Sequence, residues 1–195
     1  MPRTPAIRLP HDAKAGPTKP AVRAVTVSKL GLTETDHFVE VGSCTGAVTV
    51  AAARRAGRVT ALERSGSKLD VTRKNLVAND VPLSTVDLVE AVAPEGLPAD
   101  ADALFVGGSR NFEAVLDHAV ETDVQRVVMN VSRLETAGRA VQAFRDRELL
   151  DEVLQLQASH GYELAGATRF ESDNPVYVIT GGVGDEAGDD DEVTS

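Results

Sequence analysis

Two glycines, two acids and the short polar segment between the glycines carry the chemistry most visible in this chain. Gly42 and Gly46 bound the loop Ser43-Cys44-Thr45. Glu40 stands two residues before the first glycine, and Glu63 follows 17 residues after the second. Glycines let a backbone approach a ligand closely, and a helix starting just after them offers unpaired N–H groups. An acid at the next strand end accepts hydrogen bonds from ribose hydroxyls. The set suits an adenosine-containing ligand. A dinucleotide fingerprint, G-x-G-x-x-G, would place glycines at 42, 44 and 47. The chain has Gly42, Cys44 and Ala47 there.

These residues need a strand before the loop, a helix after it and a second strand to present Glu63. The apolar run 38–41 reads as the first strand, 47–55 as its helix, ended by Gly57, and 59–62 as the second strand. Upstream, 20–30 reads as a helix with Pro20 in its first turn and Gly31 at its end. Residues 67–80 form the next helix, with Ser67 as N-cap and Leu69, Leu76 and Val77 as its apolar stripe. Strands follow at 86–89, 103–106 and 126–131, with helices at 111–120 and 134–145. Leu154, Leu156 and Ala158 then alternate with glutamines, and 176–180 is a last strand with no helix before it, so the final two strands pair antiparallel. The class is α/β: a Rossmann-like, seven-stranded sheet closed by an antiparallel hairpin.

Residues 1–182 read as one domain with an N-terminal arm at 1–15. Residues 183–195 read as an acidic, disordered tail. Net charge is −10, from 30 acids and 20 bases, and lysine (5) is scarce beside arginine (15). Such a surface fits high salt and argues against nucleic acid as a partner. No segment suits a membrane span or a secretory signal, and the single Cys44 excludes an internal disulfide, so a reducing cytoplasm is expected. One Cys and four scattered His (His11, His37, His118 and His160) make no metal cluster, and these histidines read as surface or satisfied core residues.

The acid, Gly42 and Gly46 resemble motif I of class I S-adenosylmethionine (SAM) methyltransferases, with Cys44 in place of the middle glycine. Six further segments, at 15–32, 38–50, 61–75, 90–95, 104–109 and 174–181, together resemble the cobalamin-pathway cobalt-precorrin/precorrin-6B C(15)-methyltransferases (decarboxylating). That resemblance implies SAM as cofactor, with contacts from Thr18, Gly42, Ser43, Cys44, Thr45, Gly46 and Glu63 and from the backbone of Ala93. The same residues have plain structural readings: Thr18 as a helix cap, Glu63 as a strand-end acid, Cys44 as a small buried residue. Asn174-Pro175-Val176-Tyr177 is a strand lead-in in which Tyr177 packs.

The implied reaction methylates C-15 of a corrinoid and releases an acetate side chain as carbon dioxide. The substrate's conjugated ring can take up the electrons, so no catalytic side chain is expected, and no metal. The substrate's carboxylates need cations, for which Lys14, Lys19, Arg110, Arg133 and Arg169 are candidates, and Gly107, Gly108 and Ser109 would leave room for a flat macrocycle. The family implies a homotetramer. Alternatives are another class I small-molecule or RNA methyltransferase, or a non-catalytic SAM-binding subunit.

Overall fold

Residues alternate faces along a strand, so β1 (His37–Val41) sends Val39 and Val41 to one side of the sheet and Phe38 and Glu40 to the other. The structure, a computed structural model, describes residues 6–13, 16–108 and 110–184. α1 is Pro20–Leu30 and α2 is Ala47–Ala52, followed by β2 (Arg58–Glu63), α3 (Gly66–Ala78), β3 (Val86–Glu90) and β4 (Ala103–Val106). Then come α4 (Phe112–Glu121), β5 (Arg126–Val131), α5 (Leu134–Arg145), β6 (Leu150–Leu156), β7 (Ser159–Leu164), β8 (Ala167–Ser172) and β9 (Val176–Gly181).

Seven strands form one sheet in the order β3-β2-β1-β4-β5-β9-β6. The first five are parallel, and β9 runs antiparallel between β5 and β6. This is the class I methyltransferase arrangement expected from the sequence. One apolar layer joins α4 and α5 to the sheet through Phe112, Leu116, Phe144, Met129 and Ile179. The other joins α1, α2 and α3 through Leu30, Val48, Leu76, Phe38 and Phe105. Registered pairing sets Glu40 beside Phe105 and Phe105 beside Val128. Glu40, Phe105 and, two residues on from Val128, Asn130 therefore share the α1–α2 face.

Three sequence expectations change. α2 ends at Ala52 rather than 55, because residues 53–55 close a turn in which Arg55 N donates to Ala52 O. The stripe of α3 is Leu69, Thr72, Asn75 and Leu76, while Val77 is exposed. Asn75 and Asn79 are buried because they hold the N-terminal segment. Asn75 Nδ2 donates to His11 O and Thr45 O, and Asn79 Oδ1 accepts from Arg8 N. Ser67 lies inside α3, whose N-cap position is Ser65, and the first N–H groups there are met by strand-end carboxylates instead. Ser65 N donates to Glu63 Oε1 and Gly66 N to Glu90 Oε1. Beyond those expectations, β7 and β8 form a separate two-stranded ribbon, exposed along its whole length.

Candidate functional site

The parallel strands all deliver their C-terminal ends to one edge, where such sheets bind ligands. At that edge β1 passes through the glycine loop into α2. Gly42 N and Ser43 N both donate to Leu62 O, at 2.8 and 3.1 Å, so the loop is tied to the end of β2. Gly42 has φ +85°, and a Cβ there would lie 3.4 Å from Gly108 N. Gly46 has φ +72°, and a Cβ there would come within 2.9 Å of Thr72 Cγ2. Both positions need glycine. Cys44, where the motif usually has a third glycine, also sits in the left-handed region at φ +53°. A side chain in that region costs on the order of 1–2 kcal/mol, and the surrounding loop bonds hold it there.

Glu63 closes the loop from the β2 side. It is almost fully buried; its Oε2 accepts from Cys44 N and its Oε1 from Ser65 N, each at 3.2 Å. An ionised carboxylate has about four acceptor positions, so lone pairs remain for hydroxyl donors. Glu40 lies deeper, 2% exposed, and accepts from Thr49 Oγ1 of α2. Burial, above all, pushes its carboxyl from 4.5 up to about 8; the bonds from Thr49 pull it down and the Glu63 charge pushes it further up. Burial likewise raises the Cys44 thiol, against the pull of Lys68, with Glu63 and Glu40 adding to the rise. A protonated thiol with no base beside it is no nucleophile.

Two cavities meet at this loop and share Gly42, Cys44 and Gly107. The smaller, about 200 Å³, is walled by Leu62, Glu63, Lys68, Ala93 and Arg110. It has a carboxylate at one end and an apolar slot between Leu62 and Ala93, the shape a nucleoside requires. The larger, about 290 Å³, lies between the sheet and the segment leading into α1, and is lined by Thr18, Lys19, Glu40, Phe105 and Asn130. Asn130 Nδ2 donates to Thr26 Oγ1, whose own proton goes to Val22 O, so the amide orientation is fixed and Asn130 Oδ1 is left buried without a partner among the described residues.

The residues singled out from the sequence divide accordingly. Thr18, Lys19, Ser43 and Thr45 line the larger cavity; Glu63, Ala93, Gly108 and Arg110 line the smaller; Gly42, Cys44 and Gly107 line both. Gly46 lines neither and works from beneath as the residue before α2. Lys14 and Ser109 lie outside the described residues. Arg133 and Arg169 line neither cavity. Arg133 is an exposed residue just before α5, and Arg169 is an exposed residue on β8 of the two-stranded ribbon. Lys19 is ion-paired with Asp173, and Asp173 also contacts His160. The hydrogen bond from Lys19, with a further one from His160, holds the Asp173 carboxyl below the usual carboxylate value. Tyr177 packs against the core, as expected. Among the described residues no group of His, Cys, Asp and Glu could hold a metal ion, and no helix is long and apolar enough to cross a membrane.

The sequence marks Glu40 only as the acid of motif I and leaves Asn130 and Asp173 unassigned. The signal for the first two was a polar residue at the C-terminal end of an otherwise apolar strand run. Asp173 gave none.

Residues 10–181 match the precorrin methyltransferase domain family. The chain is 71% identical over 174 residues to a Halobacterium salinarum protein named cobalt-precorrin-6B C(15)-methyltransferase (decarboxylating), covering 89% of this chain and 92% of that protein. A Methanosarcina acetivorans protein of the same name is 36% identical, covering 87% and 95%. Among solved structures, a precorrin 8W decarboxylase from Methanobacterium thermoautotrophicum superposes with a TM-score of 0.80 at 31% identity, covering 86% of this chain and 92% of that one.

Proposed function

The chain belongs to the precorrin methyltransferase family, and we propose that it transfers the methyl of SAM to C-15 of a cobalt-precorrin-6B-type corrinoid, with loss of the ring C acetate carboxyl as carbon dioxide. The observation that carries this reading is the pair of cavities meeting at the glycine loop: one has the walls of a nucleoside site, and the other opens beside the loop. The residues fit SAM. Glu63 keeps acceptor capacity for ribose hydroxyls, and the glycines leave backbone within reach of the ligand. Asn130 Oδ1, which has no partner among the described residues, is an acceptor on a wall residue of the larger cavity. When bound, SAM supplies a methyl group on a positively charged sulfur.

The chain's own part is to bind, orient and keep water away. Glu63 fixes the ribose and at the same time fixes Cys44, so nucleoside binding and loop geometry are one event. Thr18 and Lys19 cover the larger cavity from the α1 side, and Phe105 forms its apolar floor. Gly108 has open space where a Cβ would be, which suits a flat ring approaching that edge. Positioning of this kind can account for several kcal/mol of barrier lowering without a covalent step. Lys19, held in place by Asp173, is the cation we assign to a substrate carboxylate; Arg110 faces the nucleoside side.

Self-association is part of the proposal. The β7–β8 ribbon carries Phe170, 70% exposed, on one face and Tyr162 and Leu164 on the other. An isolated two-stranded ribbon is marginal in water, and large apolar groups on both faces suit burial against further copies, in keeping with a homotetramer. We read the net charge of −10 as suited to a cytoplasm of high salt and unsuited to RNA. Labelled methyl transfer tests the function. Label should pass from SAM to a precorrin-6B-type substrate and fail to do so in Glu63→Ala. Transfer to RNA, with none to corrinoids, would remove the assignment.

A further inference from the structure

Thr72, Asn75 and Asn79 fall at helical spacing along one face of α3 and its C-terminal end, and all three are buried. Polar side chains there are costly unless paired, and each is paired with backbone from outside the helix. Thr72 Oγ1 donates to Cys44 O in the glycine loop. Asn79 holds the N-terminal arm, its Oδ1 accepting from Arg8 N and its Nδ2 donating to Arg8 O. Asn75 serves both loop and arm. Its Nδ2 donates to Thr45 O and to His11 O, each at 2.8 Å, and its Oδ1 accepts from His11 N at 3.1 Å. Two carbonyls on one side and an N–H on the other fix the amide orientation and use both of its N–H groups.

The arm has few other holds. Residues 6–13 form no helix or strand and none of them is buried; Ile7 packs against the core, and the Arg8–Asp80 ion pair is exposed. Segments of this kind open locally at small cost. When the arm lifts, Asn75 loses both of its His11 partners, and the amide that holds Thr45 O is free to turn. None of residues 6–13 lines either glycine-loop cavity. A ligand there reaches the arm by two routes, through Asn75 or along the chain by way of the cavity-lining residues Gly16 to Lys19.

We propose that Asn75 is a positioning residue that couples seating of the N-terminal arm to binding at the glycine loop, a coupling that rests on SAM as the ligand of that loop. Such coupling is reciprocal: the factor by which a seated arm raises affinity equals the factor by which bound ligand raises seating. Amide hydrogen exchange of the full chain is measured with and without saturating S-adenosylhomocysteine at fixed salt. Exchange at Arg8 N and His11 N should slow about tenfold with the ligand. By calorimetry, Asn75→Ala should bind at least that much more weakly, since it loses the Thr45 bond as well. In the same variant, folded by circular dichroism, arm exchange should no longer respond to the ligand, a loss that a purely structural role would not produce. Asn79→Ala, which releases Arg8, should lower affinity by a smaller factor and keep the response at His11. Should Asn75→Ala fail to fold, exchange in the parent and in Asn79→Ala decides. Arm exchange in the parent unchanged by ligand, or parental affinity in Asn75→Ala, would overturn the coupling. A parent that binds no S-adenosylhomocysteine would instead remove the SAM reading beneath it.

Discussion

Replacing Glu40 by glutamine should change how stability responds to pH, and the sign follows from the buried carboxyl. Glu40 keeps its proton in the fold up to about pH 8, whereas an unfolded chain releases it near 4.5. Between those values the folded state binds the extra proton, so rising pH favours unfolding. The penalty is absent below about pH 4.5, grows through the window and levels off above about pH 8. At about 1.4 kcal/mol per pKa unit it reaches on the order of 5 kcal/mol. A glutamine keeps the shape, and its amide oxygen can still accept from Thr49 Oγ1, but it has no proton to lose. Acids remote from the glycine loop are unaffected by the change, so the difference between the two reports on the loop around position 40. Urea unfolding at constant salt, at pH 5, 6.5 and 8.5, should find the pair similar at pH 5 and the variant more stable by several kcal/mol at pH 8.5. A difference that stays the same at all three pH values would refute the proton-bearing Glu40.

Other perturbations probe the loop and the ribbon. Glu63→Ala should weaken S-adenosylhomocysteine binding by on the order of 1–3 kcal/mol, from unpaired hydroxyl donors, and calorimetry giving parental affinity would remove Glu63 from the site. Gly46→Ala should cost about 1–3 kcal/mol of stability, because the new Cβ meets Thr72 at 2.9 Å with φ at +72°; an unchanged unfolding midpoint would mean that α3 yields freely. Phe170→Glu should reduce the assembled mass in light scattering while the monomer stays folded by circular dichroism, and an unchanged mass would detach the ribbon from assembly.

Punctuated elements were legible in the sequence. Pro20 and a left-handed Gly31 bound α1, and short apolar runs bound β4 and β5 at the expected residues. What stayed hidden was polar burial. Thr72 and Asn75 sit where a periodicity reading seeks apolar residues, because they bind loop and N-terminal backbone that only the fold brings near. The β7–β8 ribbon, exposed on both faces, has no period-two contrast to detect. In the site, Gly42, Gly46 and Glu63 were readable because backbone conformation and ribose chemistry each demand a residue type. The cations were not, since any arginine near a strand end looks alike in sequence. Only the structure separates Arg110, on a cavity wall, from Arg133 and Arg169, which are not.

If one site both methylates and decarboxylates, both events must occur in a single turnover and can be counted there. Enzyme in excess is mixed with SAM labelled in its methyl group and a precorrin-6B-type substrate labelled in the ring C acetate carboxyl. One labelled methyl should be gained by the corrinoid for each labelled carbon dioxide released, with both lost together in Glu63→Ala. Methyl gain without carbon dioxide, or carbon dioxide release that proceeds without SAM, would contradict a shared site.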